Sequence, residues 1–283
     1  MRFAVFGQDR LGLVQGEEIV DVTASVPGPA SPAGVLHRLI EAGDVPMPTD
    51  AVATHALSSV RLAAPLPRPP KIIAAPVNYR DHQAEMAAAH TIADLGVFLK
   101  APSSVIGHGA TVRLPYGDVR TDQEGELAVV IGRTARHVPV DRALEFVFGY
   151  CCALDITVRS TEDRSTRKSF DTFTPLGPWV VTADEVPDPR ELTLRCWVDG
   201  ELRQSARVDE LIFGVAELIA YASSVMTLWP GDVLLTGTPA GVGPINDASS
   251  VAVQVDPIGR LEVLVSSESA VPYAARPRPE ARS

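Results

Sequence analysis

Glu124 and Glu126 stand one residue apart at the head of the apolar run Leu127 to Ile131, and Asp155 lies inside a later run, Tyr150 to Val158. Side chains alternate faces along a strand, so positions i and i+2 point the same way and both glutamates can converge on one point. Three carboxylates meeting there make an all-oxygen donor set, which suits a hard divalent cation such as Mg²⁺ or Mn²⁺ rather than zinc. The same spacing also describes an acidic pair on the wet face of an ordinary strand. What surrounds the pair separates the two readings.

His82 and Glu85, in Asn78-Tyr-Arg-Asp-His-Gln-Ala-Glu85, are spaced i, i+3. On a helix they share a face and could act on one water, although such a pair is also a common surface hydrogen bond. The charged stretch Arg159 to Lys168 directly follows the run carrying Asp155. It is either solvated surface or a loop at a strand end, where sites are built. Lys168 to Trp179 is rich in turn formers, as in a loop wrapped around a cavity, and Thr236 to Gly243 is a glycine-rich loop after the apolar Asp232 to Leu235. Its amides and hydroxyls could receive an anion. It lacks the Gly-Lys-Ser/Thr of a P-loop, which disfavours nucleotide binding.

The elements that must position these groups follow from local pattern. Phe3–Phe6, Arg10–Val14 and Ile19–Val22 are short β-prone runs separated by turn residues, a meander, and a short helix is expected over about Gly34 to Ala42. The proline-dense stretch Ala64 to Pro70 can continue neither element type and marks a boundary. Beyond it come an apolar strand at Ile72 to Val77, a helix over Arg80 to Ala89, and the strands around the carboxylates. Asp199-Gly200 predicts a type I′ hairpin after Leu192 to Val198. Leu211, Ile212, Val215, Leu218, Ile219, Ala222 and Val225 recur at helical spacing. The Pro-, Arg- and Ala-rich end reads as a mobile tail.

Composition bounds the rest. Across 283 residues, 46% hydrophobic and 21% charged describes a folded chain with a sizeable core. No apolar run approaches the ~20 residues that span a bilayer, and the start lacks a secretory pattern, so the cytoplasm is expected and a membrane is not. Cys151, Cys152 and Cys196 form neither a disulfide framework nor a zinc pattern and read as small buried hydrophobes. A net charge of −10 argues against nucleic-acid binding, and means that an anionic substrate needs a local metal or basic cluster.

Taken together and in order, Asn78-Tyr-Arg-Asp-His82, Phe98-Leu-Lys-Ala-Pro-Ser-Ser104, Glu124-Gly-Glu-Leu-Ala-Val-Val-Ile-Gly132, Asp155 with Arg159, Lys168-Ser-Phe-Asp-Thr-Phe173, Pro175-Leu-Gly-Pro-Trp179 and Thr236-Gly-Thr-Pro-Ala-Gly-Val-Gly243 resemble the fumarylacetoacetate hydrolase family over roughly residues 70 to 245. The resemblance implies an α+β, mainly β fold: a rolled, sandwich-like mixed sheet forming the catalytic domain, a small N-terminal β-rich domain, and a homodimer. With the boundaries above, the domains would be 1–68 and 69–268, with 269–283 as a flexible tail. It further implies that Glu124, Glu126 and Asp155 hold Mg²⁺ or Mn²⁺. His82 and Glu85 match a lid dyad that positions or deprotonates a water, and Lys168 matches a lysine that holds substrate or enolate. Tyr79, Arg159, Glu162 and Thr238 fall at substrate positions, Arg159 and Thr238 beside the carboxylate and oxo group.

A 2-oxo acid can offer its carboxylate and 2-oxo oxygens to such a cation, which then stabilises the enolate left when the C3–C4 bond breaks. Water attack on the distal carbonyl gives hydrolysis of an acylpyruvate-like acid. Loss of CO₂ from a distal carboxylate gives an oxaloacetate-type decarboxylase, and proton transfer alone gives an isomerase or hydratase. Retention of both His82 and Glu85 favours hydrolysis, and intact metal carboxylates count against an inactive metal-binding homologue. The chain departs from the family at Ala74 to Asn78, at Ile245 to Ser250, and at Glu162, where glutamine is usual. A substrate-facing Glu162 would disfavour a second carboxylate there; alternatively Glu162 pairs with Arg164 or Arg167.

Overall fold

The computed structural model describes residues 1–43, 53–86 and 90–277. Its centre is a 12-stranded mixed sheet. The main path across it runs Thr54–Ala56, Glu18–Asp21, Arg10–Gln15, Arg2–Phe6, Thr174–Thr182, Val147–Leu154, Gly125–Ile131, Val233–Leu235, Ile72–Ala74, Phe98–Lys100. Neighbours on this path are antiparallel except Val233–Leu235 beside Ile72–Ala74, where Leu234 pairs with Ile73 in parallel.

Gly125–Ile131 is buried at every position, because both of its faces are covered. Leu127, Val129 and Ile131 pack with Leu194, Cys196, Val253, Val255, Leu261 and Val263 of a second, five-stranded sheet. Ala128 and Val130 pack the other way, with Phe3, Val5 and the Leu36, Leu39 and Ile40 face of helix Val35–Ala42. Double coverage explains the unbroken apolar run after Glu126, whereas Thr193–Val198, covered once, alternates buried and half-buried residues.

The meander expected at the N-terminus is present, and it joins the main sheet: Phe3 pairs with Val180 of Thr174–Thr182. Ala64, Pro65 and Leu66 of the proline-dense stretch are buried, so the segment placed at the boundary is packed against the shared core. The Asp199-Gly200 hairpin forms as expected, with Val198 opposite Glu201 and both turn residues at positive φ, 52° and 80°. The helix expected from Leu211 onward begins later, at Val215. Leu211 and Ile212 are held instead by Tyr79 and Asn78, the Ile212 N–H donating to the Asn78 carbonyl at 2.8 Å.

Helix Arg80–Glu85 is shorter than the expected Arg80 to Ala89, whose residues 87–89 lie outside the described residues. Within the segment expected as a tail, Val271 bridges Tyr116, the Tyr273 N–H donates to Asp118 Oδ1 at 2.7 Å, and the Tyr116 and Tyr273 rings meet edge to face. Residues 278–283 of that tail lie outside the described residues.

Candidate active site

Glu124 sits between strands Thr121–Gln123 and Gly125–Ile131, Glu126 is the second residue of the latter, and Asp155 follows strand Val147–Leu154. The pairing of Gly125 with Leu154 and the Asp155 N–H to Glu124 carbonyl bond, 2.8 Å, bring the three side chains together. All three are buried, and one oxygen from each lies within 4.8 Å of the others. Three buried carboxylates so close repel unless a cation is shared among them, and the donor set fits a hard divalent ion.

Basic groups bracket the cluster. Lys168 Nζ donates to Glu124 Oε2 and Asp155 Oδ2, both at 2.6 Å, and to Thr157 Oγ1 at 2.7 Å. Lys100, wholly buried, donates to Asp155 Oδ1 and, at 2.8 Å, to the Phe173 carbonyl. Arg159 bridges Glu124 Oε1 at 2.9 Å and Asp122 Oδ2 at 2.6 Å. Burial pushes the Glu124 carboxyl up, but the charges of Lys168 and then Arg159 outweigh it and hold the group well below the usual range. Glu126 goes the other way: burial, then the charge of Asp155, raises it well above. Burial lowers Lys100, whereas the charges of Asp155 and Glu124 overcome burial and raise Lys168.

Glu126 has a backbone partner, the Gly237 N–H at 2.7 Å. Gly237 adopts φ +96°, and a Cβ there would meet Asn78 Cβ at 2.7 Å, so the close approach requires glycine. Asn78 pins the two loops together, donating to the Phe213 and Thr236 carbonyls at 2.9 and 2.8 Å and accepting from the Phe213 N–H at 2.8 Å. Thr238 Oγ1 donates to the Gly125 carbonyl at 2.9 Å and accepts from Gln204 Nε2 at 2.7 Å. Its single proton is therefore committed, and toward a ligand Thr238 is an acceptor.

His82 Nδ1 lies 3.0 Å from Glu85 Oε2, and Glu85 Oε1 accepts from the Gly241 N–H at 3.0 Å. A carboxylate only accepts, so Nδ1 carries the proton in this pair and Nε2 is left as the basic nitrogen. His82, Glu124, Glu126, Arg159, Lys168 and Thr238 line one cavity of about 140 Å³, together with Arg164, Arg167 and the apolar Phe98 and Met86. A larger cavity of about 670 Å³ between Leu57, Trp179 and Arg260 contains none of these carboxylates. Chemistry, not size, marks the smaller one.

Two expected substrate residues stand apart from this lining. Tyr79 is buried beside the cavity loops with its hydroxyl unpartnered among the described residues, and burial raises that phenol far above its ordinary value. Glu162 accepts hydrogen bonds from Tyr273 and Arg276, and neither Arg164 nor Arg167 pairs with it. Sequence reading also passed over Lys100, Arg164 and Arg167 as site residues. Lys100 lay in a quoted motif, but nothing local showed that a buried lysine would reach Asp155. Arg164 and Arg167 were visible only as part of a charged run and as alternative partners of Glu162.

A rolled sheet carrying a buried carboxylate cluster, with the histidine of a His-Glu pair on the same cavity, defines a carboxylate metal-site scaffold. The chain belongs to the fumarylacetoacetate hydrolase family: the model of the fumarylacetoacetate (FAA) hydrolase C-terminal region matches residues 71–266. Maleylpyruvate hydrolase of Aquipseudomonas alcaligenes is 43% identical over 286 residues, covering 94% of this chain and 100% of that protein. The crystal structure of maleylpyruvate hydrolase from Sphingobium sp. SYK-6, in complex with manganese(II) ion and pyruvate, superposes with a TM-score of 0.83 at 40% identity, covering 94% of this chain and 99% of that one. Fumarylacetoacetate hydrolase from Exiguobacterium antarcticum superposes with a TM-score of 0.81 at 34% identity, over 95% of this chain and 100% of that one.

Proposed function

We propose that this protein is a divalent-metal-dependent hydrolase that cleaves a C–C bond of an acylpyruvate-like 2-oxo acid, releasing pyruvate and a carboxylic acid. The observation that carries the reading is that His82, which Glu85 holds, lines the same cavity as Glu124 and Glu126, whose cluster Asp155 completes. The relatives support it: one is named a maleylpyruvate hydrolase over its whole length, and another's crystal structure contains manganese(II) and pyruvate.

Glu124, Glu126 and Asp155 would hold Mn²⁺ or Mg²⁺. When bound, such a cation supplies Lewis acidity that stabilises the negative charge of an enolate. Lys168 and Arg159, already on the cluster, bind and orient the anionic 2-oxo acid end of the substrate. Glu85, anchored by Gly241, holds the His82 ring so that Nε2 takes a proton from a water, which adds to the distal carbonyl. The C3–C4 bond then breaks, its electron pair passes to the pyruvate side as an enolate, and the distal side leaves as the acid. The proton that His82 took from the water is delivered to that enolate carbon, which completes pyruvate and returns His82 to its starting form. Phe98 and Met86 give the cavity an apolar wall that limits competing water.

The reading includes a homodimer in the cytoplasm, carried by the family resemblance. Light scattering tests the dimer. The activity is tested by product analysis with Mn²⁺, giving an acylpyruvate and oxaloacetate separately, with and without EDTA. Pyruvate plus free acid from the acylpyruvate, lost on chelation, is the expected result. CO₂ and pyruvate from oxaloacetate alone, above the metal-only background, would replace hydrolase by decarboxylase.

A further inference from the structure

Four cationic side chains face the cavity, and only two of them are committed. Lys168 and Arg159 are bonded to Glu124, and Lys168 also to Asp155. Arg164 and Arg167, at i and i+3 on helix Arg164–Arg167, line the same cavity half-buried. Among the described residues neither guanidinium has a hydrogen-bond or salt-bridge partner. The acidic residues next to them in sequence are occupied elsewhere: Glu162 on Tyr273 and Arg276, and Asp163 as the cap accepting from the Ser165 N–H at 2.8 Å.

Two half-buried guanidiniums beside Arg159 and Lys168 repel one another, and an anion is the natural relief. A planar pair of forks matches a carboxylate. In the reaction proposed above, the substrate's 2-oxo acid carboxylate is already served at the Glu124 end by Arg159 and Lys168, so the uncommitted pair calls for a second one. Glu162, which would have opposed such a group had it faced the cavity, is turned away.

We propose that Arg164 and Arg167 form a specificity subsite for a carboxylate at the far end of the acyl chain, so that the enzyme selects 2-oxo acids carrying a carboxylate at both ends. The proposal rests on the acylpyruvate reading, and its test separates the two.

The probes are succinylpyruvate, which ends its acyl chain in a carboxylate, and butyrylpyruvate, which ends it in a methyl group. kcat and KM are measured with Mn²⁺ for the wild type, Arg164→Gln, Arg167→Gln and Arg167→Lys. The wild type is expected to prefer succinylpyruvate. Each glutamine variant lowers the succinylpyruvate to butyrylpyruvate ratio of kcat/KM by about 10- to 100-fold, mainly through KM, as loss of a charge-assisted hydrogen bond requires. Arg167→Lys recovers part of that ratio. An unchanged ratio, or equal losses on both substrates, overturns the subsite, because the arginines would then serve the shared 2-oxo end or the fold. Wild-type turnover of butyrylpyruvate without preference keeps the acylpyruvate reading and removes the subsite, whereas turnover of neither removes both.

Discussion

Lys168 donates a 2.6 Å hydrogen bond to Glu124 across 44 residues of sequence, and the contact is buried. The same ammonium holds Asp155, so it bridges two of the three clustered carboxylates, beside Arg159 on Glu124 and Lys100 on Asp155. Lys168→Met takes that charge away and leaves the buried cluster one cation short, a loss of up to about 3–5 kcal/mol by analogy with broken buried pairs. A divalent cation can substitute for the lost charge. The destabilisation, read from urea midpoints, is therefore expected to be larger in EDTA than in saturating Mn²⁺; equal values in both would show that the carboxylates do not share a cation.

Glu126 differs from its two partners in having, among the described residues, no lysine or arginine hydrogen bond, only the Gly237 N–H. Glu126→Gln can keep that acceptor while removing a charge from the cluster. We expect the variant to fold, to lose Mn²⁺ affinity by calorimetry, and to lose at least about 100-fold in activity, above the range seen for outer-shell partners of metal ligands. Undiminished Mn²⁺ binding would remove Glu126 from the ligand set.

Gly237 tests the scaffold rather than the chemistry. A methyl group there must enter space held by Asn78 Cβ, 2.7 Å away, and the residue must keep φ +96°. Left-handed backbone alone costs about 1–2 kcal/mol, and the clash adds to it. Gly237→Ala should therefore lower stability by at least about 2 kcal/mol and weaken Mn²⁺ binding through displaced Glu126. A neutral effect on both would mean that the loop repacks freely.

Acid should loosen the link between the loop before helix Arg164–Arg167 and the C-terminal segment. Hydrogen bonds from Ser160 and then Tyr273, with the charge of Arg276 behind them, hold the Glu162 carboxyl down at about 2, against an ordinary 4.5. A folded value below the unfolded one contributes stability that is present above the ordinary value and is lost as pH falls from 4.5 toward about 2. The difference in stability between the wild type and Glu162→Gln should accordingly be constant near neutrality and shrink over that acid window. A difference that stays constant through the window would show that Glu162 is not held by this contact.

Much of the site was legible because its signals are local. The one-residue spacing of Glu124 and Glu126 forces a common face on any strand, and His82 and Glu85 share a face on any helical turn. Asp199-Gly200 specifies its hairpin because both residues tolerate positive φ, which is what the turn requires. The pattern misled where a competing contact decided the outcome. Leu211 and Ile212 have helical spacing, but Asn78 and Tyr79 engage their backbone, and the helix starts at Val215.

By itself, the sequence determined the kinds of groups available and the local directions in which they point: two glutamates on one strand face, a His-Glu pair on one turn, and an apolar run long enough to be buried on both sides. Only tertiary structure decided which distant charges meet. Lys100, on a strand 55 residues before Asp155, and Lys168, at the end of helix Arg164–Arg167, converge on Asp155 only in the packed chain, and Glu162 leaves the cavity because Tyr273 and Arg276, more than 100 residues later, arrive beside it. Charge pairing depends on separation in space, and a linear sequence carries no measure of that distance until the chain has packed.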